Sequence, residues 1–224
     1  MQRARALVGE FIGSALLTMV VVGSGIAAQQ LSPNAIGLEL LENAAATAAA
    51  LFVLITVLAP VSGAHFNPLV TWTDIALGRR SWRDGLTYPL AQVLGCSLGA
   101  IASNVMFGLH ALELSTHHRA SLPHLTSEVI ATAGLILVIV SLVRRGQSSS
   151  VASSVACYIG AAYFFTSSTS FANPAICVGR MLSNSFAGIA PSSVPGFVVA
   201  ELIGAAIGLA LAVFLTPKEP HVSA

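Results

Sequence analysis

The chain is short of charge. Only 8% of its residues are Asp, Glu, Lys or Arg, against about 25% in ordinary soluble domains, which points away from a water-soluble body and toward a membrane. With a formal net charge of +1, nothing in it invites nucleic acid. Cysteine is scarce as well. Cys96, Cys157 and Cys177 are an odd number scattered through apolar segments, so they form neither a disulfide framework nor a zinc spacing and read as small packing residues. Histidine gathers in one stretch, where His110, His117, His118 and His124 accompany Glu113. Their spacing fits no tight ligand template, and we expect no metal there.

What the chain has in abundance is apolar sequence, at 55% of all residues. Arg3 and Arg5 ahead of the run Ala6 to Ala28 imitate a cleavable signal, but the run is too long and others follow it. Six full spans are expected, over about 5 to 28, 36 to 60, 86 to 109, 125 to 143, 151 to 168 and 195 to 215. The bilayer is therefore the first partner, and six spans put both ends on one side. Placing the N-terminus inside collects Arg3, Arg5, Arg79, Arg80, Arg83, Arg144, Arg145 and Lys218 on the cytoplasmic face and leaves Arg119 and Arg180 outside. That bias predicts a multi-pass protein of the cell membrane with both termini cytoplasmic.

Two stretches break the apolar pattern in the same way. Ser62-Gly63-Ala64-His65-Phe66-Asn67-Pro68-Leu69 and Ser168-Thr169-Ser170-Phe171-Ala172-Asn173-Pro174-Ala175 each run from a small polar loop into Asn-Pro. Asn is a good N-cap and Pro suits the first helical position, so each pair should start a short helix of about a dozen residues. A dozen residues rise only about 18 Å, while the hydrocarbon core is about 30 Å thick. Neither can cross alone. Two half-helices entering from opposite sides and meeting at their Asn-Pro starts would complete one span and line a pore.

The halves also repeat. Gln92 to Gly99 aligns with Glu201 to Gly208, and Glu10 near the start of span one matches Glu128 near the start of span four. With three spans per half, a direct repeat must be inverted in the membrane, which places a functional site at the midplane. The pairs Gly9/Gly13, Gly95/Gly99 and Gly204/Gly208 have the spacing of close helix packing. An acid inside a span is costly and usually functional, so Glu10 and Glu128 are either coupling sites of a transporter or supports for the irregular loops.

On these residues, the two Asn-Pro half-helices, His65-Phe66-Asn67-Pro68, the inverted three-plus-three spans and the paired glutamates, the chain resembles the aquaporin and glycerol-facilitator family, the major intrinsic proteins. The resemblance covers nearly the whole sequence. It implies an all-α membrane protein of six transmembrane helices plus two re-entrant half-helices. This would be one channel domain over 1–224, with repeats over about 1–110 and 124–217. It further implies a homotetramer with a pore in each subunit, and a passive channel rather than an enzyme, with no catalytic residue, metal or cofactor. Asn67, Pro68, Asn173, Pro174, His65, Leu69 and Ala175 would form the pore centre, and Glu10 and Glu128 would hold the loops.

Two departures bear on the solute. Leu69 stands where the family usually has Ala, so it should shift its neighbours or trim the channel. Counting from the Asn-Pro pairs, the outer filter falls on Thr47, Ala161, Ser170 and Ile176, with neither the usual arginine nor aromatic walls. Such a ring should be wide. Arg180, one turn beyond Ile176, belongs either to an outer vestibule or to a plain helix end, and Asn43 is a second vestibule candidate. An isoleucine in place of the filter arginine resembles a bacterial branch linked to metalloid handling. The reading is a broad channel for water and small neutral solutes such as glycerol, trivalent arsenic or other metalloid acids. The alternatives are a water-selective or ordinary glycerol facilitator, a coupled secondary transporter and a non-conducting scaffold.

Overall fold

The computed structural model describes residues 1–217, so Lys218 and the last residues of the chain lie outside the described residues. Among those described, the chain folds into eight α-helices and no strands. The first half contains α1 (Gln2–Leu31), α2 (Ile36–Ser62), the short α3 (Pro68–Ala76) and α4 (Asp84–Met106). The second half repeats the order with α5 (Leu122–Arg144), α6 (Val151–Phe165), the short α7 (Pro174–Arg180) and α8 (Val194–Leu215). Five segments are long and apolar enough to cross a bilayer: α1, α2, α4, α5 and Pro191–Leu215.

The fifth expected span is shorter than predicted. It covers 15 residues and leaves the helix at Thr166, whose backbone is extended and whose hydroxyl bonds back to the carbonyl of Ala162. A 3-10 turn at Ser148–Ser150 leads straight into it, and turn and helix together rise about 28 Å. The half-helices are also shorter than a dozen residues, at 9 and 7. At the end of α3 the amide of Arg79 bonds the carbonyl of Asp74, and the amide of Gly78 that of Ile75. This pattern needs the left-handed backbone that Gly78 adopts at φ +71. Beyond α7 the chain is held by the loop between α4 and α5. Ser115 donates to the carbonyl of Met181, and Glu113 and the Asn104 side chain donate to that of Leu182.

Helix α1 packs chiefly against α4, and α5 against α8. A β-carbon at Gly95 would strike the carbonyl oxygen of Phe11, and one at Gly99 that of Ala15. In the mirror position Gly204 meets Val129 and Gly208 meets Ala133 in the same way, so both crossings depend on small residues that let backbones touch. Gly13 has a different task. It makes room for the Phe66 ring of the first re-entrant loop. Outward-facing residues such as Val53, Val57, Leu90, Phe164 and Phe214 remain exposed, as a lipid-facing surface requires.

Candidate functional site

The two re-entrant loops need backbone that ordinary residues resist. Ala64 and Phe66 in the first loop adopt φ +50 and +51, and Ser170 and Ala172 in the second adopt +53 and +48, with Thr169 at +63. Each left-handed non-glycine residue costs on the order of 1–3 kcal/mol. Buried carboxylates offset that cost by gathering the loop amides. Glu10 accepts from Ser62 Oγ (2.6 Å), the amides of His65 (3.0 Å) and Phe66 (2.7 Å), and Gln92 Nε2 (2.7 Å). Glu128 accepts from the amides of Phe171 (2.9 Å) and Ala172 (2.8 Å). Glu201 takes the next amide, that of Asn173, at 2.9 Å.

With the loops so held, the two half-helices meet head to head. Asn67 Oδ1 caps its own helix at the amide of Leu69, while Nδ2 donates to the carbonyl of Ala172 across the centre (2.7 Å). Asn173 does the same, capping at Ala175 and donating to the carbonyl of Phe66 (2.8 Å). A side-chain amide has two N–H donors, so each Asn keeps one for a passing oxygen rather than two. Around this junction runs a cavity of about 550 Å³. It reaches from Ser148, Asp74 and His65 at one end, past Asn67 and Asn173, to Ile176, Tyr163 and Arg180 at the other. One wall is apolar and comes from α1, α2, α5 and α6, including Leu17, Val21, Leu51, Ile55, Leu135 and Ile159. The re-entrant loops supply the polar strip opposite.

Several expected site residues stand elsewhere. Leu69, Pro68, Pro174 and Ala175 are buried behind the pore wall and do not line the cavity. Leu69 packs with Val70, Ile136, Val140, Ala205 and Ala212, so its bulk fills the space toward α5 and α8 and leaves the channel untrimmed. Asn43 is tied to α1 through Nδ2, which donates to the carbonyl of Val21 and to Ser24 Oγ (both 2.8 Å), and it does not border the cavity.

The outer ring is corrected in two respects. Thr47, Ser170 and Ile176 border the cavity, but Ala161 is exposed on the outer face of α6. Tyr163 borders the cavity instead, with its hydroxyl 3.1 Å from Thr47 Oγ1. Two residues turn a helix by about 200°, which carries Ala161 to the opposite side. An aromatic wall is therefore present. Arg180 also borders the cavity. Its Nε donates to the carbonyl of Ala187, and its guanidinium carbon lies 3.4 Å from the centre of the Phe171 ring. Arg119, from the loop between α4 and α5, reaches the same ring at 5.6 Å and donates to the carbonyls of Gly188 (2.8 Å) and Phe186 (2.9 Å). Burial and the neighbouring Arg180 lower its pKa to about 10, so it stays charged at neutral pH. The outer end thus carries two cations near one aromatic ring.

At the other end His65 has both ring nitrogens engaged, Nδ1 with Thr71 Oγ1 (2.9 Å) and Nε2 with Asp74 (3.2 Å). Cys177 is fully buried with its thiol donating to Glu201 (3.2 Å), away from the cavity. Among the described residues no three His, Cys, Asp or Glu side chains gather as a metal site. His124, on α5, instead meets the carbonyl of Arg119 in the loop between α4 and α5, and His118 of that loop meets Ser192 Oγ.

Known proteins match this chain in sequence and in fold. A family model described as Major intrinsic protein matches residues 1–171. The aquaglyceroporin AqpS of Rhizobium meliloti (strain 1021) is 44% identical over 219 residues, covering 97% of this chain and 93% of that one. The probable aquaporin TIP2-1 of Oryza sativa subsp. japonica is 36% identical over 141 residues, 60% of this chain and 56% of its own. The X-ray structure of the aquaglyceroporin from Plasmodium falciparum has a TM-score of 0.71 over 93% of this chain and 94% of its own. At 21% identity that is a likeness of fold. On this match of sequence and architecture, the chain belongs to the major intrinsic protein family, a family of membrane channels and not of enzymes.

Proposed function

We propose that the protein is a passive channel for water and small neutral hydroxylated solutes, glycerol and undissociated trivalent arsenic, As(OH)3, among them. The two-sided cavity carries this reading. A polyol can turn its carbons to the apolar wall while its hydroxyls pass along the loop carbonyls and the free N–H groups of Asn67 and Asn173. As(OH)3 presents the same compact set of neutral hydroxyls. The name of the relative AqpS, an aquaglyceroporin, supports the same class of solute. Cations are opposed by Arg180 and Arg119 at the outer end and by the half-helix N-termini at the centre.

The reading as a coupled transporter loses its candidates, because the oxygens of Glu10 are occupied by loop and helix donors and those of Glu128 by loop amides. The pore centre is then Asn67, Asn173 and His65, and the outer constriction Thr47, Tyr163, Ser170 and Ile176 with Arg180 above it. The remaining parts of the proposal are one channel domain over 1–224, a homotetramer, and both termini in the cytoplasm.

Stopped-flow light scattering on proteoliposomes tests the solute class. Glycerol entry well above that of protein-free vesicles is expected, and Ile176→Arg should suppress glycerol before water. Fast water flux with no glycerol entry would contradict the proposal.

A further inference from the structure

On the face that carries the N-terminus, a second cavity of about 550 Å³ opens between the start of α1, the end of α2 and the connection from α3 to α4. Three guanidinium groups border it, Arg3, Arg80 and Arg83. Only part of that charge is answered. Arg3 lies 3.5 Å from Asp84, and Arg80 is held by the Ser62 carbonyl, the Tyr88 hydroxyl (2.6 Å) and the Tyr88 ring at 4.7 Å. Among the described residues Arg83 has no carboxylate partner, and its guanidinium stands 5.9 Å from the Trp82 ring. The cavity therefore holds an excess of two positive charges, three arginines against Asp84.

The surface beside this cavity is apolar. Arg83, Leu90 and Leu94 fall at i, i+7 and i+11 on one side of α4, where Leu90 is 61% and Leu94 54% exposed. Trp82, at 70% exposure, sits at the junction of the charged and apolar zones, where an indole is at home in a bilayer interface. A cationic cavity at the end of an exposed leucine stripe matches a molecule with an anionic head and a hydrocarbon tail.

We propose that this cavity seats the phosphate headgroup of an anionic phospholipid, with an acyl chain along Leu90 and Leu94. Arg3 and Arg83 supply the attraction, and Arg80 closes the inner wall. The site touches the channel, because Ala59, Pro60 and Gly63 border both cavities. A juxtamembrane arginine enriches anionic lipid by about fivefold.

Tryptophan quenching in vesicles tests this. The protein is reconstituted in equal parts of phosphatidylglycerol and phosphatidylcholine, with bromine on the chains of one lipid and then of the other. Brominated phosphatidylglycerol should quench the emission more deeply, and Arg83→Gln should reduce that asymmetry. Arg3→Gln/Arg83→Gln should abolish it. Arg145→Gln, which removes an exposed arginine outside the cavity, should leave it intact. Equal quenching by both lipids would overturn the proposal, as would an asymmetry that survives the double substitution or falls equally in Arg145→Gln. Loss of the asymmetry on adding inorganic phosphate would overturn it too, since the cavity would then take its anion from solution.

Discussion

The two re-entrant loops make the same turn with different supports. In the first, one carboxylate collects most of the donors, with the Ala64 amide left to Ser62 Oγ. Glu10 accepts from a serine hydroxyl, two amides and Gln92, whose Nε2 also lies 3.3 Å from Thr71 Oγ1. In the second, Glu201 stands where the repeat places Gln92, so two acids divide the work. Glu128 takes Phe171 and Ala172, and Glu201 takes Asn173 and the Cys177 thiol. Behind the half-helices the difference is one of bulk, with Leu69 in the first and Ala175 in the second. The first loop is thus anchored at one point and backed by an aliphatic cluster, while the second is anchored at two, and its half-helix lies close to α4, where a β-carbon at Gly179 would meet the carbonyl of Cys96. An inverted repeat keeps the path of the chain and leaves each half free to find its own partners for the buried amides.

Substitutions that break this asymmetry should rank accordingly. Glu10→Ala orphans several buried donors at once, each costing about 1–3 kcal/mol, so little monodisperse protein should be recovered in detergent. Glu128→Ala should lose less, because it orphans fewer, and a reversed order of recovery would contradict the comparison. Next comes Leu69→Ala, which empties a packed site behind the pore and should cost about 2–5 kcal/mol in unfolding free energy. Because Leu69 does not border the cavity, glycerol flux per folded channel should stay the same, and a marked rise would return Leu69 to the pore wall.

Glu201→Gln makes the second half resemble the first. The amide oxygen can still accept from Asn173, while Nε2 can donate to Glu128 as Gln92 does to Glu10. A gain of about 1 kcal/mol, seen as a higher melting temperature, is expected, and a clear loss would show that the second acid is needed. Smallest in effect is Tyr163→Phe. It removes one hydroxyl from the pair with Thr47 and should change glycerol flux by no more than about fivefold, the equivalent of one hydrogen bond.

Much of this was legible in the sequence because it rests on strong local signals. Asn-Pro is both a cap and a helix start, and both half-helices begin there. The paired glutamates sit in apolar runs, where an acid must meet donors, and the structure supplies those donors from the loops. The outer ring was harder to read. Counting back from Asn173 reaches Ala161, but α6 stops at Phe165 and the chain then runs irregularly to Asn173. Helical spacing does not survive such a stretch, and the α6 residue that borders the cavity there is Tyr163.

Arg119 had no sequence signal at all. It lies far from the re-entrant loops in the chain and comes to Phe171 only because the connection between α4 and α5 folds over the end of α7. Glu201 had a signal, its alignment with Gln92, but an acid opposite an amide gave no hint that it would take the amide of Asn173. The family resemblance puts Leu69 at the pore centre, as the last residue of the central motif, whereas its rotation on α3 turns it toward α5 and α8.

The most direct test of the channel reading is the arsenite content of proteoliposomes at equilibrium, measured with and without an imposed proton or potassium gradient. A passive neutral-solute channel predicts rapid entry, an internal concentration equal to the external one, and no change when the gradient is applied. Arsenite held above the external concentration in response to the gradient would contradict the account, as would no entry beyond that of protein-free vesicles.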